Sequence, residues 1–253
     1  LDVQPHPQMN WGFTGIFDKK NGGGFLDDLF PNAAKAIWDF EGIYATSRHI
    51  PKVRFVGLIH PGLIGTAPSM ELLEKWNYRE KKLHDKCPCR NPPLAELPNK
   101  KGAYVGKLEG TKEGKKIKKE AARTIPGREN GGNCDIKNLT KGSAVYFPVY
   151  VDGAKLSMGD IHFSQGDGEI SFCGAIETSG VLTLRCSIIS NGMKTLGINN
   201  PIFETSILEP NYSKYLTFEG FSVDENGKQL YLDATGSYRM SCVNAINYLT
   251  KFG

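Results

Sequence analysis

Short apolar runs separated by glycines and polar turns dominate the second half of the chain. β-branched residues are frequent in these runs, and the turns recur at short intervals. This spacing is typical of the strands of a β-sandwich or barrel. The runs that we predict as strands are residues 144–151, 169–176, 182–189 and 216–223. The pattern therefore predicts a mainly β fold.

Three other segments have a spacing closer to that of helices. Ala33 to Tyr44 carries apolar residues at nearly helical intervals, and residues 70–86 form a charged amphipathic segment that Pro88 would end. Residues 233–251 return to helical spacing near the end of the sequence. These segments add an α+β portion to the predicted β fold.

The remaining segments predict a strand and two connections. Residues 52–63 predict a strand that leads into a loop at His60, and residues 1–30, broken by prolines and glycines, predict a covering loop. A Pro- and Lys-rich connection near residues 90–125 marks a boundary within one domain that would span residues 1–253.

Composition is ordinary for a soluble globular protein. The 253 residues are 40% hydrophobic and 23% charged. No run approaches the roughly 18 consecutive apolar residues of a membrane helix, and no leader precedes the first polar residues. We therefore expect a cytoplasmic protein that binds no membrane.

The net charge of +4 is concentrated in one segment. Residues 100–128 hold eight Lys and two Arg against three Glu, or +7, so the rest of the chain carries 4 minus 7, or −3. Lys112, Lys115, Lys116, Lys118 and Lys119 are interleaved with Gly and Glu and have no aromatic residue between them. This pattern favours a solvated surface loop over a nucleic-acid site.

The six cysteines predict neither disulfides nor a zinc knuckle. A chain with the composition expected of an intracellular protein is expected to keep its thiols reduced. Cys87 and Cys89 have a single residue between them and no second pair at metal-binding spacing. Cys173, Cys186 and Cys242 lie in apolar runs and are expected to pack as small hydrophobic residues.

The stretch from Gly159 to Glu169 has the densest polar chemistry of the sequence. It reads GDIHFSQGDGE and brings an imidazole, a carboxamide and three carboxylates together with three glycines. Glycines let the backbone turn sharply and aim several side chains at one volume, as a metal or hydrolytic site requires. An acidic hairpin turn is the simpler alternative.

Two further glycine-rich polar segments precede this stretch. They are HPGLIGTAP at 60–68 and GRENGGNCD at 127–135. In this order the three segments resemble the acetamidase/formamidase family, and ISFCGAIE at 170–177 and WGFTGIF at 11–17 resemble its formamidase branch. The resemblance covers nearly the whole chain.

The resemblance implies a fold of packed β-sheets, a homo-oligomer and hydrolysis of formamide or a short aliphatic amide to carboxylate and ammonia. Family members continue at both ends, so we expect this sequence to be a fragment. Two alternatives stay open: a γ-lactam hydrolase of the same superfamily, and a catalytically inactive module that binds an amide or a metal.

Amide hydrolysis by activated water favours a divalent metal at these segments. A bound metal lowers the pKa of its water and polarises the carbonyl. Asp135 and His162 are predicted ligands because carboxylate and imidazole are common zinc donors, and His60 is a third candidate. His60 could equally order a Pro-Gly turn. Zinc is favoured, with calcium as the second choice.

The other polar residues of these segments have predicted roles in catalysis or binding. Glu169 is the predicted general base, because two close carboxylates raise one pKa, and Asp167 could hold the same role. Gln165 cannot titrate and would orient water or substrate. Asn133 and Gly132 are predicted to bind substrate.

A covalent mechanism through Cys134 is the alternative to activated water. A thiolate in the GGNCD segment could attack an amide. The neighbouring Asp135 opposes formation of that thiolate, so we favour activated water.

Overall fold

The computed structural model describes residues 1–21, 23–86, 105–124, 127–166, 168–171, 173–208, 220, 223–229 and 233–250. Twelve strands lie in these residues, and their bounds are β1 Asp2–Pro5, β2 Trp11–Ile16, β3 Ala34–Glu41, β4 Tyr44–Ser47, β5 Arg54–Val56, β6 His60–Gly65, β7 Gly131–Asn133, β8 Ala144–Tyr146, β9 Ser157–His162, β10 Glu177–Thr178, β11 Gly180–Thr183 and β12 Ile202–Glu204.

Eight of these strands form one antiparallel sheet in the order β5-β4-β3-β2-β10-β9-β6-β7. Two small antiparallel sheets join β1 to β11 and β12 to β8. β10 pairs with β2, and β9 pairs with β6, so the large sheet joins segments that are far apart in the sequence. The predicted mainly β class is confirmed.

The core lies against the middle of the large sheet. Its buried members are Trp38, Ala45, Phe163 and Ile176. Phe163 is only 1% exposed, and its ring stacks on that of Phe40 at 4.1 Å between centroids. Burying an aromatic side chain of this kind stabilises the fold by about 1.5–3 kcal/mol. Phe163 directly follows β9, so this packing fixes the end of that strand.

Four α-helices lie within the part of the chain that the structure describes. Their bounds are α1 Met70–Lys86, α2 Lys112–Glu120, α3 Gly192–Leu196 and α4 Ala234–Leu249. The predicted helix over 70–86 is confirmed, and the predicted helix over 233–251 is confirmed as α4. Asp233 caps α4, since its side chain accepts a hydrogen bond from the backbone N–H of Gly236 at 2.9 Å. None of the described helices is both long and apolar enough to cross a membrane.

The predicted helix over 33–44 is wrong, because this segment forms strand β3. Its core-facing residues are Ala36, Trp38 and Phe40, which follow the two-residue period of a strand. β3 pairs with β2 on one edge and β4 on the other, and the indole N–H of Trp38 donates to Thr14 Oγ1 at 3.0 Å. Pairing on both edges and the content of β-branched and aromatic residues outweigh the helical interval.

The predicted strand over 169–176 is also wrong. This segment is irregular where the structure describes it, apart from a single bridge between Ser171 and Gly24. Glu169 and Cys173 have positive φ values of 38° and 53°, which no regular strand accommodates. Conversely, the loop predicted at His60 is strand β6, and the glycine-rich polar segment at 127–135 contains strand β7.

The other predicted strands are shorter than expected or fall outside the described residues. The 144–151 run contains β8, and the 182–189 run contains only the end of β11. Within 216–223 the structure describes only residues 220 and 223. The covering loop predicted over 1–30 contains β1 and β2, so that prediction is wrong in part.

In the described part of the lysine-rich segment (105–124 and 127–128), Lys112–Glu120 forms helix α2 instead of the predicted loop. Lys112, Lys115, Lys116 and Lys119 of this helix are exposed, as predicted, and Lys118 is half-buried. Thr111 caps α2 by accepting a hydrogen bond from the backbone N–H of Gly114 at 2.9 Å. Cys186 is exposed, so its predicted packing is wrong, whereas Cys173 and Cys242 are half-buried. Cys87 and Cys89 lie outside the described residues.

Candidate metal and hydrolytic site

Three neighbouring strands place side chains from distant parts of the sequence in one row. His162 at the end of β9 lies directly opposite His60 in β6 and directly opposite Glu177 in β10. Residues opposite each other in an antiparallel pair project from the same face. The register of the sheet therefore brings His60, His162 and Glu177 together on one face.

His162 is the centre of this row. It is fully buried, and its Nε2 makes no hydrogen bond to any described residue. Carboxylate oxygens of Glu177 and Asp160 lie 3.3 Å and 3.5 Å from this nitrogen. Burial alone would lower the pKa of His162, but the two carboxylates raise it to about 11. The surroundings of Nε2 therefore favour a positive charge.

Two more carboxylates reach this volume from loops. Asp135 follows β7 with φ of 50° and donates its backbone N–H to the carbonyl oxygen of Gly62 at 3.0 Å. Glu169 Oε1 accepts hydrogen bonds from the backbone N–H groups of Gly174 at 2.9 Å and Ala175 at 3.3 Å. The backbone of both residues has a positive φ, a conformation that belongs to loops and not to regular strands.

The two loop carboxylates, Asp135 and Glu169, lie close enough to repel each other when both are ionised. Burial and repulsion from Glu169 raise the pKa of Asp135 to about 8. Burial also raises the pKa of Glu169, against the charge of His162. We call these four carboxylates and His162 the cluster; its members are Asp135, Asp160, His162, Glu169 and Glu177. Protons on Asp135 and His162 compensate part of its negative charge. A bound cation would supply the same compensation.

The donor atoms fit a metal ion. Side chains that could hold one form two groups that share His162: Asp135, His162 and Glu169, and Asp160, His162 and Glu177. Nε2 of His162 and Oδ1 of Asp135 are both buried with no hydrogen-bond partner among the residues described. A Cβ atom on Gly62 would lie 2.6–2.8 Å from the His162 ring and from oxygens of Asp135 and Asp160. Glycine at this position therefore keeps the space between the donors open.

Gln165 and His60 lie behind the His162 ring instead of beside the carboxylates. Gln165 Oε1 is 2.8 Å from Nδ1 of His162 and 3.2 Å from Nε2 of His60. Nδ1 of His60 lies 2.5 Å from the carbonyl oxygen of Leu58. Burial lowers the pKa of His60 to about 4, so this ring is neutral. His60 belongs to neither group of side chains that could hold a metal.

The residues predicted from the sequence do not all meet. Asp135, His162 and Glu169 lie together in the cluster, whereas Gln165 and His60 contact the other side of the His162 ring. Asn133 donates its side-chain amide to Asp135 Oδ2 at 2.7 Å, and Gly132 pairs through its backbone with Ile64. Asp167 lies outside the described residues.

Sequence reasoning assigned no role to Asp160 or Glu177. Asp160 lies in β9 with a positive φ of 57°, and its carboxylate is 3.5 Å from Nε2 of His162. It is one of the three carboxylates of the polar stretch from Gly159 to Glu169, so this signal was present in the sequence. Glu177 faces His162 only because β10 pairs with β9, and no local pattern reveals that pairing.

An open pocket of about 530 Å³ adjoins the cluster. Its lining consists of Arg79, Gly127, Arg128, Glu129, Asn133, Cys134 and Asn200. Asn133 connects the pocket to the cluster through its hydrogen bond to Asp135. Burial and the charge of Asp135 raise the pKa of Cys134, so its thiol stays protonated at neutral pH. This protonation disfavours the nucleophilic role for Cys134.

Comparison with known proteins agrees with these features. The model of the acetamidase/formamidase family matches residues 1–253. A formamidase of Methylophilus methylotrophus is 58% identical over the whole chain, which covers 62% of that relative. An acetamidase of Mycolicibacterium smegmatis is 54% identical, and the chain covers 64% of it.

A solved structure shares the fold closely. The structure of a gamma lactamase from Delftia acidovorans is 57% identical and matches with a TM-score of 0.89. The match covers 100% of this chain and 62% of that one. The chain thus spans less than two thirds of the length of these relatives.

Proposed function

Since the chain belongs to the acetamidase/formamidase family, we propose that the complete protein hydrolyses formamide or a short aliphatic amide to carboxylate and ammonia. The observation that carries the proposal is the convergence of four carboxylates around the buried His162 side chain, whose Nε2 makes no hydrogen bond within the described residues. Relatives named formamidase and acetamidase support the same reaction class.

We assign Asp135 and His162 as ligands of a divalent metal; Asp160 and Glu177 form a second group of possible oxygen donors around the same imidazole. Imidazole nitrogen among carboxylates favours zinc, and the number of oxygen donors keeps calcium as the second choice. A bound metal would lower the pKa of water and polarise the amide carbonyl. Elemental analysis of the purified complete protein tests this assignment.

Glu169 is the general base in this proposal. Its raised pKa brings proton uptake closer to neutral pH, and its fixed Oε1 leaves the second oxygen to exchange protons. Glu169 takes a proton from water as the water oxygen bonds to the amide carbon. It returns the proton to nitrogen as the C–N bond breaks, which releases ammonia. Asp167 stays the predicted alternative.

Two members of the cluster are shielded from bulk water, whereas Asp135 and Glu169 are half-buried and Asp160 is exposed. His162 and Glu177 are 0% and 7% exposed, so their charges act in a medium of low dielectric constant. The predicted substrate contacts of Asn133 and Gly132 remain predictions, as do the homo-oligomeric state and the cytoplasmic location.

Hydrolysis of a γ-lactam is the second candidate, since a gamma lactamase shares 57% identity and the fold. The decisive experiment measures ammonia release from formamide and acetamide, and ring opening of a γ-lactam, by the complete protein with zinc. Release from formamide supports the first proposal, and ring opening alone favours the second. Binding without turnover of any substrate would favour an inactive module.

A further inference from the structure

The carboxamide of Gln165 joins the two residues whose unpartnered atoms face the cluster. Its Nε2 donates to the backbone carbonyl oxygen of Asp135 at 2.7 Å, and its Oε1 lies 2.8 Å from Nδ1 of His162. A carbonyl oxygen can only accept, so the amide nitrogen must face Asp135. The amide oxygen then faces His162, and Nδ1 of that ring must carry the hydrogen.

His60 strengthens the same arrangement from the other side. Its Nδ1 faces the carbonyl oxygen of Leu58 and therefore carries a hydrogen. Its Nε2 lies 3.3 Å from Nδ1 of His162 and 3.2 Å from Oε1 of Gln165, so the His60 ring packs against the contact between these two side chains. Gln165 and His60 together hold the His162 ring with Nε2 toward the carboxylates of Glu177 and Asp160.

Asp135 is fixed with comparable completeness. Its backbone N–H donates to Gly62, its carbonyl oxygen accepts from Gln165, and its Oδ2 accepts from Asn133. Oδ1 alone makes no hydrogen bond within the described part of the chain. Asp135 Oδ1 and His162 Nε2 therefore face the cluster, and Gln165 contacts both residues on the side away from these atoms.

We propose that Gln165 is a positioning residue that orients His162 and Asp135 as metal donors and does not contact the substrate. Gln165 is only 9% exposed. Its amide oxygen contacts the His162 ring and its amide nitrogen donates to Asp135, so both ends of the amide are engaged within the protein. This inference rests on the proposed function, because the metal that His162 and Asp135 would bind is part of that proposal. Outer hydrogen bonds of this kind commonly change metal affinity by about 10–100-fold.

The test uses two variants of the complete protein. Gln165→Met keeps the length of the side chain and removes both hydrogen bonds, whereas Gln165→Glu keeps an acceptor for His162 and removes the donor to Asp135. We expect Zn²⁺ affinity, measured by calorimetry, to fall about 10–100-fold in Gln165→Met. Gln165→Glu should lose less. Metal-free crystal structures should show both groups displaced in the first variant and only Asp135 in the second.

Thr66→Val is the matched control. Thr66 is buried and donates its hydroxyl to the carbonyl oxygen of Pro148 at 2.8 Å, away from the cluster. Its loss should lower stability and leave Zn²⁺ affinity unchanged. A fall in affinity as large as that of Gln165→Met would show a general effect of weakened packing and would overturn the inference.

A substrate-contacting role predicts the opposite division of effects. Both Gln165 variants would then keep Zn²⁺ affinity and the positions of His162 and Asp135, and only turnover would fall. That result would overturn the inference. If the wild-type protein binds no Zn²⁺, the metal assignment fails, but the metal-free structures still decide the inference by whether His162 and Asp135 move. Should Gln165→Met not fold, displacement of Asp135 in Gln165→Glu decides it.

Discussion

Glu129 and Asp135 flank the same short strand β7, yet their carboxylates have opposite surroundings. Arg79 donates to both oxygens of Glu129 at 2.7 Å and 2.9 Å, and the indole N–H of Trp76 adds a third bond at 2.7 Å. Burial would raise the pKa of Glu129, but these hydrogen bonds lower it to about 2. Asp135 has one oxygen with no hydrogen bond in the described structure, and its pKa rises to about 8.

The difference separates a structural carboxylate from one that awaits a ligand. Arg79 and the indole N–H of Trp76 donate hydrogen bonds to both carboxylate oxygens of Glu129, so its negative charge stabilises the fold. Asp135 faces Glu169 and Asp160, whose charges oppose its ionisation. A buried charge without a partner costs free energy that a functional ligand can offset. The predictions below test this division.

Removing the central imidazole should have the largest effect. We expect His162→Ala to lose metal binding by more than the about 10–100-fold of an outer-shell change, and to lose turnover with it. Metal content and amide hydrolysis measure both. Glu129→Gln is the control and should keep its metal. A metal-replete, active His162→Ala would remove the cluster from the mechanism.

Replacing the proposed base should affect turnover alone. Glu169→Gln is expected to keep the metal and the fold, while turnover drops roughly 10²–10⁴-fold because an amide cannot take up the proton. Metal analysis, circular dichroism and kinetics are measured on one preparation. Full activity in this variant would transfer the role of base to Asp167.

The two carboxylates should respond to pH in opposite directions in metal-free protein. Glu129 is ionised in the folded state down to about pH 2, so its stabilisation is lost as pH falls from 4.5 toward 2. Asp135 keeps its proton in the folded state, so stability is lost as pH rises from 3.8 toward 8.

Thermal unfolding from pH 2 to 8 with a chelator checks these slopes. Asp135→Asn should flatten the decline toward pH 8, and Glu129→Gln should flatten the decline toward pH 2. Zinc should raise the melting temperature of the wild-type protein at pH 8, because it replaces the proton of Asp135. Identical pH profiles for both variants would contradict the comparison.

At neutral pH, Glu129→Gln should lower stability by about 1–3 kcal/mol, since hydrogen bonds to a charged, mostly buried group are lost. Chemical denaturation of the complete protein measures this change. Asp39→Asn is a useful reference, because Asp39 pairs with Arg48 on the surface and should contribute less. Equal losses in the two variants would show that the network around Glu129 has no special weight.

Cys134→Ser should have the smallest effect. The pKa of Cys134 is raised, and its thiol has no role in the activated-water mechanism. We expect turnover within about twofold of the wild-type rate, a difference of under 0.5 kcal/mol. Loss of activity with metal and fold intact would replace the mechanism by a covalent one.

The sequence predicted the residues of the site better than their arrangement. Asp135, His162 and Glu169 were recognisable because dense polar chemistry among glycines is unusual in a packed core. The part played by Glu177 was not, since it depends on β10 pairing with β9. His60 was placed in a loop, whereas it begins β6 and lies opposite His162.

Local patterns failed where tertiary pairing decided the structure. Ala33 to Tyr44 contains both a helical interval and the alternation of Ala36, Trp38 and Phe40, and only its position between β2 and β4 selects the strand. Helices α1 and α4 were predicted well because charged or capped ends and helical spacing agreed there. Glu169 required a positive φ that periodicity does not encode.

The row of His60, His162 and Glu177 also determines when the site can form during folding. His60 and His162 are 102 positions apart, so their contact closes a long loop of chain. Long-range pairing of this kind forms slowly, because loop-closure entropy is lost before the contact stabilises the chain. A growing chain cannot assemble the row until β10 has been synthesised. The row therefore exists only in the folded sheet, and a metal held by His162 would stabilise that sheet.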